Sequence, residues 1–142
     1  MEERTAAAPG DLEVTAPPAG TGRGDLFAAD CPTRILLDRV GGKWVVMVVK
    51  LLAEEHPQER GFAELARHMP GVSNKMLSQT LKALVRDRLV ERRVEDSVPP
   101  RVHYRLTALG LSLDEPLSQL RRWAEEHVGQ IDRLSPESFP RG

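Results

Sequence analysis

The clearest structural signals in the chain lie in Met69-Pro70-Gly71-Val72-Ser73-Asn74-Lys75-Met76-Leu77. Pro70 cannot continue a helix and Gly71 permits a sharp bend, so a preceding helix must end here. Ser73 is a potential N-cap, because its hydroxyl oxygen can accept a hydrogen bond from a backbone N–H two or three residues later. We therefore predict two helices joined by a tight turn, the second running from Asn74 to Arg88.

This second helix is amphipathic. At about 100° per residue, Leu77, Leu81 and Leu84 share one face, and the opposite face is polar and basic. Amide, hydroxyl and basic side chains can hydrogen-bond to base edges and phosphates in DNA. The alternative is the solvated side of an ordinary amphipathic helix. We predict that DNA is contacted by Ser73, Asn74, Lys75, Ser78, Gln79, Lys82 and Arg86, with Arg86 closer to phosphate than to the bases.

Two strand-like runs follow this helix, Leu89 to Val94 and Val102 to Leu106, and residues 95–101 between them are too rich in proline to pair. Alternation places His103 and Arg105 on one face of the second run and Val102, Tyr104 and Leu106 on the core face. The alternative role for the charged residues is protection of a hairpin edge. The basic residues of the hairpin are Arg92, Arg93, Arg101, His103 and Arg105, of which we predict Arg93, Arg101 and His103 as DNA contacts.

The remaining elements are helical. Upstream we predict helices from Thr33 to Val40, from Lys43 to Glu55 and from Phe62 to His68, with a break at Gly41-Gly42. Downstream we predict a helix capped by Thr107 and ending near Val128. Pro116 would kink this helix or start a new segment, since proline removes an interior hydrogen bond. A helix-turn-helix followed by a β-hairpin is the winged helix-turn-helix arrangement, so the predicted class is mainly α with a small β-hairpin.

The domain organisation follows from composition. Residues 1–25 are rich in Ala, Pro, Gly and Thr without apolar periodicity, which predicts a disordered N-terminal arm or, alternatively, a leftover of processing. Residues 132–142 have a similar character, and we expect a flexible tail there. Residues 26–131 form the predicted winged helix-turn-helix domain together with a terminal dimerisation helix.

Charge is unevenly distributed along the chain. The net charge of the 142 residues is −1, but residues 60–105 contain ten basic and five acidic side chains. That segment spans the turn, the amphipathic helix and the hairpin. A local basic excess at these elements is typical of a nucleic-acid-binding surface.

Several other classes of protein are disfavoured. No apolar run reaches the roughly 18 residues of a membrane-spanning helix, and the acidic start Met1-Glu2-Glu3-Arg4 is unlike a signal peptide, so we expect a cytoplasmic protein. One cysteine cannot build a disulfide framework. The four histidines lack metal-ligand spacing and no phosphate-binding glycine loop is present. We expect no enzyme activity, no metal and no cofactor.

The chain resembles the HxlR-type transcriptional regulators, a branch of the winged-helix group that includes the MarR-like proteins. Two positions depart from the family pattern. Gly61 stands where a basic or polar residue is usual, and Arg88 replaces the glycine usual at the turn into the first wing strand. The matching stretches, in family order, are Cys31-Pro32, Gly42-Lys43-Trp44, Phe62-Ala63-Glu64-Leu65, residues 71–77, Leu89-Val90-Glu91-Arg92, residues 98–107 and Gly110.

The resemblance implies a homodimer that binds double-stranded operator DNA, with terminal helices forming most of the dimer contact. We expect a dimeric repressor that responds to a redox or small-molecule signal and reads a near-palindromic site. Packing against the chain's own core is the alternative for the apolar face of the last helix. The residues predicted at the dimer interface are Leu113, Leu117, Leu120, Trp123 and Ala124.

Cys31 has two open interpretations. In several relatives a cysteine at this position senses electrophiles or oxidants, and a position near a helix start favours the thiolate. The alternative is a small buried hydrophobic residue. A winged-helix module that binds only protein is the competing function, but Lys75, Lys82 and Arg86 argue against the neutral or acidic face it would need.

Overall fold

A computed structural model describes residues 25–140 of the chain. Residues 1–24 and 141–142 lie outside the described part, and with them nearly all of the predicted N-terminal arm. The order of elements confirms the predicted mainly helical class with a β-hairpin wing. The elements are α1 (Pro32–Val40), α2 (Lys43–Glu55), β1 (Arg60–Gly61), α3 (Phe62–Arg67), α4 (Asn74–Arg86), β2 (Val90–Glu95), β3 (Arg101–Leu106), α5 (Ala108–Leu134) and a 3₁₀ turn at Pro136–Ser138.

The core is built around α2, as its apolar sequence predicts. Val48, Val49 and Leu52 of this helix are completely buried. They form one cluster with Leu65 of α3, the inward leucines of α4 and the apolar face of the sheet. Leu77 is among these inward leucines and is also fully buried. Burial of α4 along one stripe fixes which of its faces remains available to a partner.

The turn between α3 and α4 has the predicted chemistry. Gly71 adopts a φ of 89°, and the backbone N–H of Val72 donates to the carbonyl of Met69 at 3.1 Å. Proline followed by a glycine of positive φ is the pattern of a type II turn. Ser73 then caps α4, its Oγ accepting from the backbone N–H of Met76 at 3.0 Å.

The sheet contains three antiparallel strands in the order β1-β3-β2. The two-residue strand β1 was not predicted; it pairs with β3, Arg60 lying opposite Tyr104. In the wing, the register sets Arg92 opposite Tyr104 and Arg93 opposite His103. Adjacent strand residues point to opposite faces, so Arg92 lies on the core face of the sheet and Arg93 on the outer face.

Arg88 ends α4 in the left-handed conformation, with a φ of 64°. The backbone N–H of Leu89 donates to the carbonyl of Leu84 at 2.9 Å, and that of Arg88 donates to the carbonyl of Val85 at 3.0 Å. These two hydrogen bonds define a Schellman motif, whose left-handed position is usually glycine. The departure from the family pattern at position 88 therefore leaves the helix cap intact.

Thr107 is a buried residue whose hydrogen bonds join three elements. Its Oγ1 donates to the carbonyl of Arg88 at 2.8 Å and accepts from the backbone N–H of Gly110 at 3.0 Å. Its own backbone N–H donates to the carbonyl of Leu89 at 3.1 Å. The end of α4, the end of β3 and the start of α5 are thus held together at this residue, which confirms the predicted cap of α5.

The last helix is longer than predicted. Of the two alternatives for Pro116, the start of a new segment is excluded, because α5 is continuous from Ala108 to Leu134. Pro116 and Ser112 are both exposed, so water can satisfy the Ser112 carbonyl that residue 116 cannot serve. The helix also continues past the predicted end near Val128, and the predicted domain boundary at Ile131 falls inside it.

Candidate nucleic-acid interface

The outward face of α4 is exposed and polar. Lys75, Gln79, Lys82 and Arg86 project on the side opposite the buried leucines. Within residues 25–140, none of these four side chains has a hydrogen-bond or ion-pair partner. Asn74 and Ser78 are also exposed and unpartnered in the same sense. Six of the seven predicted contacts therefore lie on the surface of α4 with polar groups that have no partner among the described residues. The seventh, Ser73, precedes the helix and uses its side-chain oxygen to cap it.

The two flanks of α4 border different elements. On one flank, Ser78, Lys82 and Val85 line a cavity of about 310 Å³ together with Arg92 and Tyr104 of the wing. On the other flank, a smaller cavity of about 210 Å³ separates the helix from α1 and α2. The recognition surface is therefore continuous with Arg92 and Tyr104 on the core face of the wing. The α4 residues lining the smaller cavity are Gln79, Thr80, Ala83 and Leu84.

Arg93 and His103, predicted as DNA contacts, are engaged on the outer face of the sheet. Arg93 donates from Nε and Nη2 to the carboxylate of Glu59 at 2.8–3.0 Å. His103 Nε2 lies 2.7 Å from Glu95 Oε2. Both side chains are paired with carboxylates on the face of the sheet away from α4, so the structure does not bring them to the α4 surface.

These pairs determine the charge of the outer face. The hydrogen bond from Arg93 holds the pKa of Glu59 below its ordinary value, and the bond with His103 holds the pKa of Glu95 below its own. Both carboxylates are therefore ionised near neutral pH and compensate the basic groups beside them. The basic residues of α4 and Arg92 have no carboxylate partner in the described part of the chain, whereas Arg101, exposed where β3 begins, lies opposite Glu95 in the wing.

Arg92 is an exposed cation at this surface that the sequence prediction left out of the site. It is exposed, shares the cavity with Lys82, and has no partner in the described part of the chain. Arg92 pairs with Tyr104 in the hairpin, and alternation had already assigned Tyr104 to the core face. This pairing would have placed Arg92 on the same face, but it depends on the conformation of the proline-rich residues between the strands, which the sequence does not determine.

Arg60 is a buried residue that holds α2 and α3 together. This arginine is only 8% exposed; its Nε donates to the carbonyl of Leu51 at 2.9 Å and its Nη1 to Glu64 Oε2 at 2.7 Å. Glu54 lies 3.4 Å from its Nη2. The guanidinium group thus links the end of α2 to α3, satisfying a backbone carbonyl and the carboxylate that α3 presents.

Two of the predicted dimer residues belong to the chain's own core. Leu117 is 8% exposed and Leu113 packs partly buried against the same cluster. For these two, the alternative interpretation is correct, because the first half of α5 packs on α2. Leu120 and Trp123 are more than half exposed, and Ala124 is exposed as well.

Exposed apolar side chains extend beyond the predicted set. We define the terminal apolar residues as those of α1 and of α5 from Leu120 onward whose large apolar side chains are at least one-third exposed. On α5 they recur at helical spacing along one side, continuous with the core-facing stripe of the first half. The terminal apolar residues are Ile35, Leu36, Leu37, Leu120, Trp123, Val128, Ile131 and Leu134.

Cys31 is buried, with 4% of its surface exposed. It occupies the N-cap position of α1, and its side chain makes no capping hydrogen bond. Its backbone N–H donates to the carbonyl of Ala28 at 3.1 Å, and Arg34 donates to the carbonyl of Phe27 at 2.9 Å. The segment before α1 is therefore folded back against the helix, next to the thiol.

Comparisons with known proteins match this geometry. The model of the HxlR-like helix-turn-helix family matches residues 39–132. The HTH-type transcriptional regulator YtfH of Escherichia coli is 38% identical over 108 residues, covering 76% of this chain and 83% of the relative.

Solved structures agree. The regulator ytfH of Salmonella typhimurium has a TM-score of 0.70 at 38% identity, covering 76% of this chain and 94% of that one. The reduced form of the redox regulator HypR has a TM-score of 0.63 at 30% identity, with coverage of 72% and 98%. No helix within residues 25–140 is long and apolar enough to cross a membrane. The chain belongs to the HxlR-like helix-turn-helix family of DNA-binding transcriptional regulators.

Proposed function

We propose that the protein binds a near-palindromic operator as a homodimer and represses transcription from it in the cytoplasm. The observation that carries this proposal is the outward face of α4, where exposed amide, hydroxyl and basic groups have no partner in the described part of the chain. A recognition helix presents such a face to the major groove.

Individual contacts follow from position. Lys75, Gln79 and Lys82 project furthest from the core and read base edges, Gln79 by bidentate bonds to adenine and the lysines by bonds to guanine. Arg86 lies at the end of α4 and contacts a phosphate. Arg101, exposed beside the wing tip, enters the minor groove or contacts its phosphates.

The homodimer is supported by the terminal apolar residues. Single exposed apolar residues are common, but contiguous apolar patches mark association surfaces. Trp123 and Leu120 are more than half exposed on a helix whose first half is already packed on α2. A two-fold axis along α5 would repeat the recognition helix about one DNA turn away, which gives the operator its symmetry.

DNA binding is tested by selecting bound fragments from the genomic DNA of the source organism. The expected product is a set of fragments that share one inverted repeat with half-sites about one helical turn apart. The Lys75→Ala, Gln79→Ala double variant is expected to recover no fragments with this repeat, whereas Gln119→Ala, on the polar side of α5, should recover them as the wild type does. Absence of binding to every fragment at low salt would overturn the proposal.

The dimer is tested by measuring the molar mass of the protein by light scattering as it elutes from a size-exclusion column. Leu120→Glu with Trp123→Glu is expected to convert a dimer into a folded monomer and to weaken operator binding. Gln119→Glu, one residue away but on the polar side, is the matched control and should remain dimeric. A monomeric wild type at the concentrations used for DNA binding would contradict the homodimer.

We also propose that Cys31 connects a redox or electrophilic signal to DNA release. Two observations support it: the thiol lies at the start of α1, which carries three terminal apolar residues, and the similar protein HypR is a redox regulator. Modification of a buried thiol requires the folded-back segment before α1 to open. Diamide is expected to release operator DNA from the wild type and not from Cys31→Ser; equal release from both would exclude this role.

A further inference from the structure

The cavity between α4 and the wing has the lining of an anion site. Its polar residues are Ser78, Lys82, Arg92 and Tyr104, and Val85 completes the wall. Two of these groups are cationic and two are hydroxyls that can donate. The volume of about 310 Å³ is ample for one tetrahedral oxyanion.

Tyr104 anchors the hydroxyl of this lining. The residue is only 7% exposed and its ring belongs to the core cluster, so the ring is held in place, while its hydroxyl makes no hydrogen bond within residues 25–140. The hydroxyl oxygen is not among the enclosed atoms and Tyr104 lines the cavity. The hydroxyl is therefore open to solvent and can donate to an acceptor oxygen bound beside it.

A neighbouring space of about 760 Å³ shares Arg92 and Val85 with this cavity and contains two further paired arginines. There, Glu59 pairs with Arg93, and Glu91 pairs with Arg105 at 2.7 Å. An anion would have to compete with a carboxylate at Arg93 and Arg105, whereas no described residue lining the 310 Å³ cavity is acidic.

We propose that the Arg92–Lys82–Ser78–Tyr104 cavity is an oxyanion site that binds one phosphate group, and that in the DNA complex it receives a backbone phosphate beside the recognition helix. The identity of the phosphate source rests on the proposed function, since Ser78 and Lys82 belong to the α4 surface assigned to DNA. The site would fix the register of α4 in the groove, because a phosphate contact positions a reader without specifying a base.

Tyr104 is the only tyrosine in the sequence, so protein labelled with 3-fluorotyrosine gives one fluorine NMR resonance from inside the site. Titration with inorganic phosphate, at an ionic strength held constant with sodium chloride, is expected to shift this resonance saturably. Arg92→Gln should abolish the shift. Arg93→Gln, the adjacent arginine on the outer face, is the matched control and should preserve it.

Addition of duplex DNA distinguishes the sources of phosphate. A backbone phosphate in the site predicts that DNA moves the same resonance and that phosphate no longer does so in the complex. A resonance that phosphate moves, but that duplex DNA leaves unchanged while the protein is bound to it, would overturn the DNA assignment in favour of a free phosphate ester. A resonance that neither probe moves would overturn the site altogether.

Affinity measurements complete the test. Tyr104→Phe keeps the ring and removes only the hydroxyl, and it is expected to weaken DNA binding about tenfold, as loss of a hydrogen bond to a charged group does. Arg92→Gln should lower the slope of log affinity against log salt by about one, and Arg93→Gln should not. Failure of the protein to bind any DNA would refute the proposed function, while the phosphate titration would still decide the oxyanion site.

Discussion

The guanidinium group of Arg93 donates to the carboxylate of Glu59 from both Nε and Nη2, at 2.8–3.0 Å. Arg92, the preceding residue, points to the other face of the sheet, towards Lys82. Two adjacent arginines of one strand thus have different roles. Arg93 ties the wing to the segment before β1, and Arg92 extends the basic surface of α4.

The Glu59–Arg93 pair is expected to stabilise the fold in a pH-dependent way. The hydrogen bond from Arg93 lowers the pKa of Glu59 from 4.5, so its contribution is present above that value and is lost as the pH falls through the lowered pKa. Glu59→Gln should reduce the urea midpoint near neutral pH and have little effect in strong acid. Glu126→Gln, on the exposed side of α5, is the control and should leave the urea midpoint unchanged at both pH values. A loss of stability from Glu59→Gln that is equal at every pH would contradict the assignment.

Gln79→Ala is expected to weaken binding to the selected operator by about 1–3 kcal/mol and to relax specificity at one base pair of each half-site. The reason is that an outward amide can bond bidentately to adenine. Competition binding against operators altered at single positions measures both effects. A variant that binds every altered site with wild-type preference would show that Gln79 reads no base.

Arg101→Ala should behave differently from Gln79→Ala. Arg101 lies at the start of β3, beside the wing tip, where Val98 is fully exposed. A minor-groove or phosphate contact predicts a similar loss of affinity for all sequences and a salt slope lower by about one. Arg122→Ala, on the exposed side of α5, serves as the charge-matched control. A loss confined to one operator sequence would argue against this role.

Gly110→Ala is expected to destabilise the protein by about 1–3 kcal/mol or more, because the added Cβ would lie 2.0 Å from the carbonyl oxygen of Leu89. Gly129→Ala lies in the same helix and its Cβ would meet only Arg133, at 3.7 Å. That variant should gain about 0.5–1 kcal/mol from helix propensity. Urea unfolding of both variants measures the contrast, and equal effects would contradict it.

Arg88→Gly is expected to raise the free energy of unfolding by up to about 1 kcal/mol, since a left-handed φ costs a residue with a side chain more than it costs glycine. Arg88→Ala separates the backbone effect from the charge, because alanine keeps the strain and removes the guanidinium. Thermal unfolding should rank glycine above arginine and alanine. Glycine no better than alanine would show that the backbone here carries no cost.

Local signals predicted most of the fold. The turn at Gly71, the caps at Ser73 and Thr107 and the helix boundaries around them depend on residues within one helical turn of each other. The apolar character of α2 was sufficient to assign the central helix. The two faces of α4 follow directly from its amphipathic pattern, and the wing after it together with the local basic excess indicated a recognition helix.

Long-range pairing accounts for what sequence could not predict. Strand β1 has only two residues and exists because β3 lies beside it. The faces of Arg92 and Arg93 depend on the register of the wing, which local alternation alone does not determine. Leu117 and Leu120 share one side of α5, but the first is buried in the core cluster and the second is exposed, a difference that the pattern of α5 alone does not encode.

The hydroxyl of Thr107 has a mechanical consequence. It bonds at once to the last turn after α4 and to the first turn of α5, so a rotation of α5 cannot leave the end of α4 in place. A dimer built on α5 would therefore control the distance between its two recognition helices through a single buried side chain. Any signal that changes how two copies of α5 meet would reach the DNA as a change in that distance.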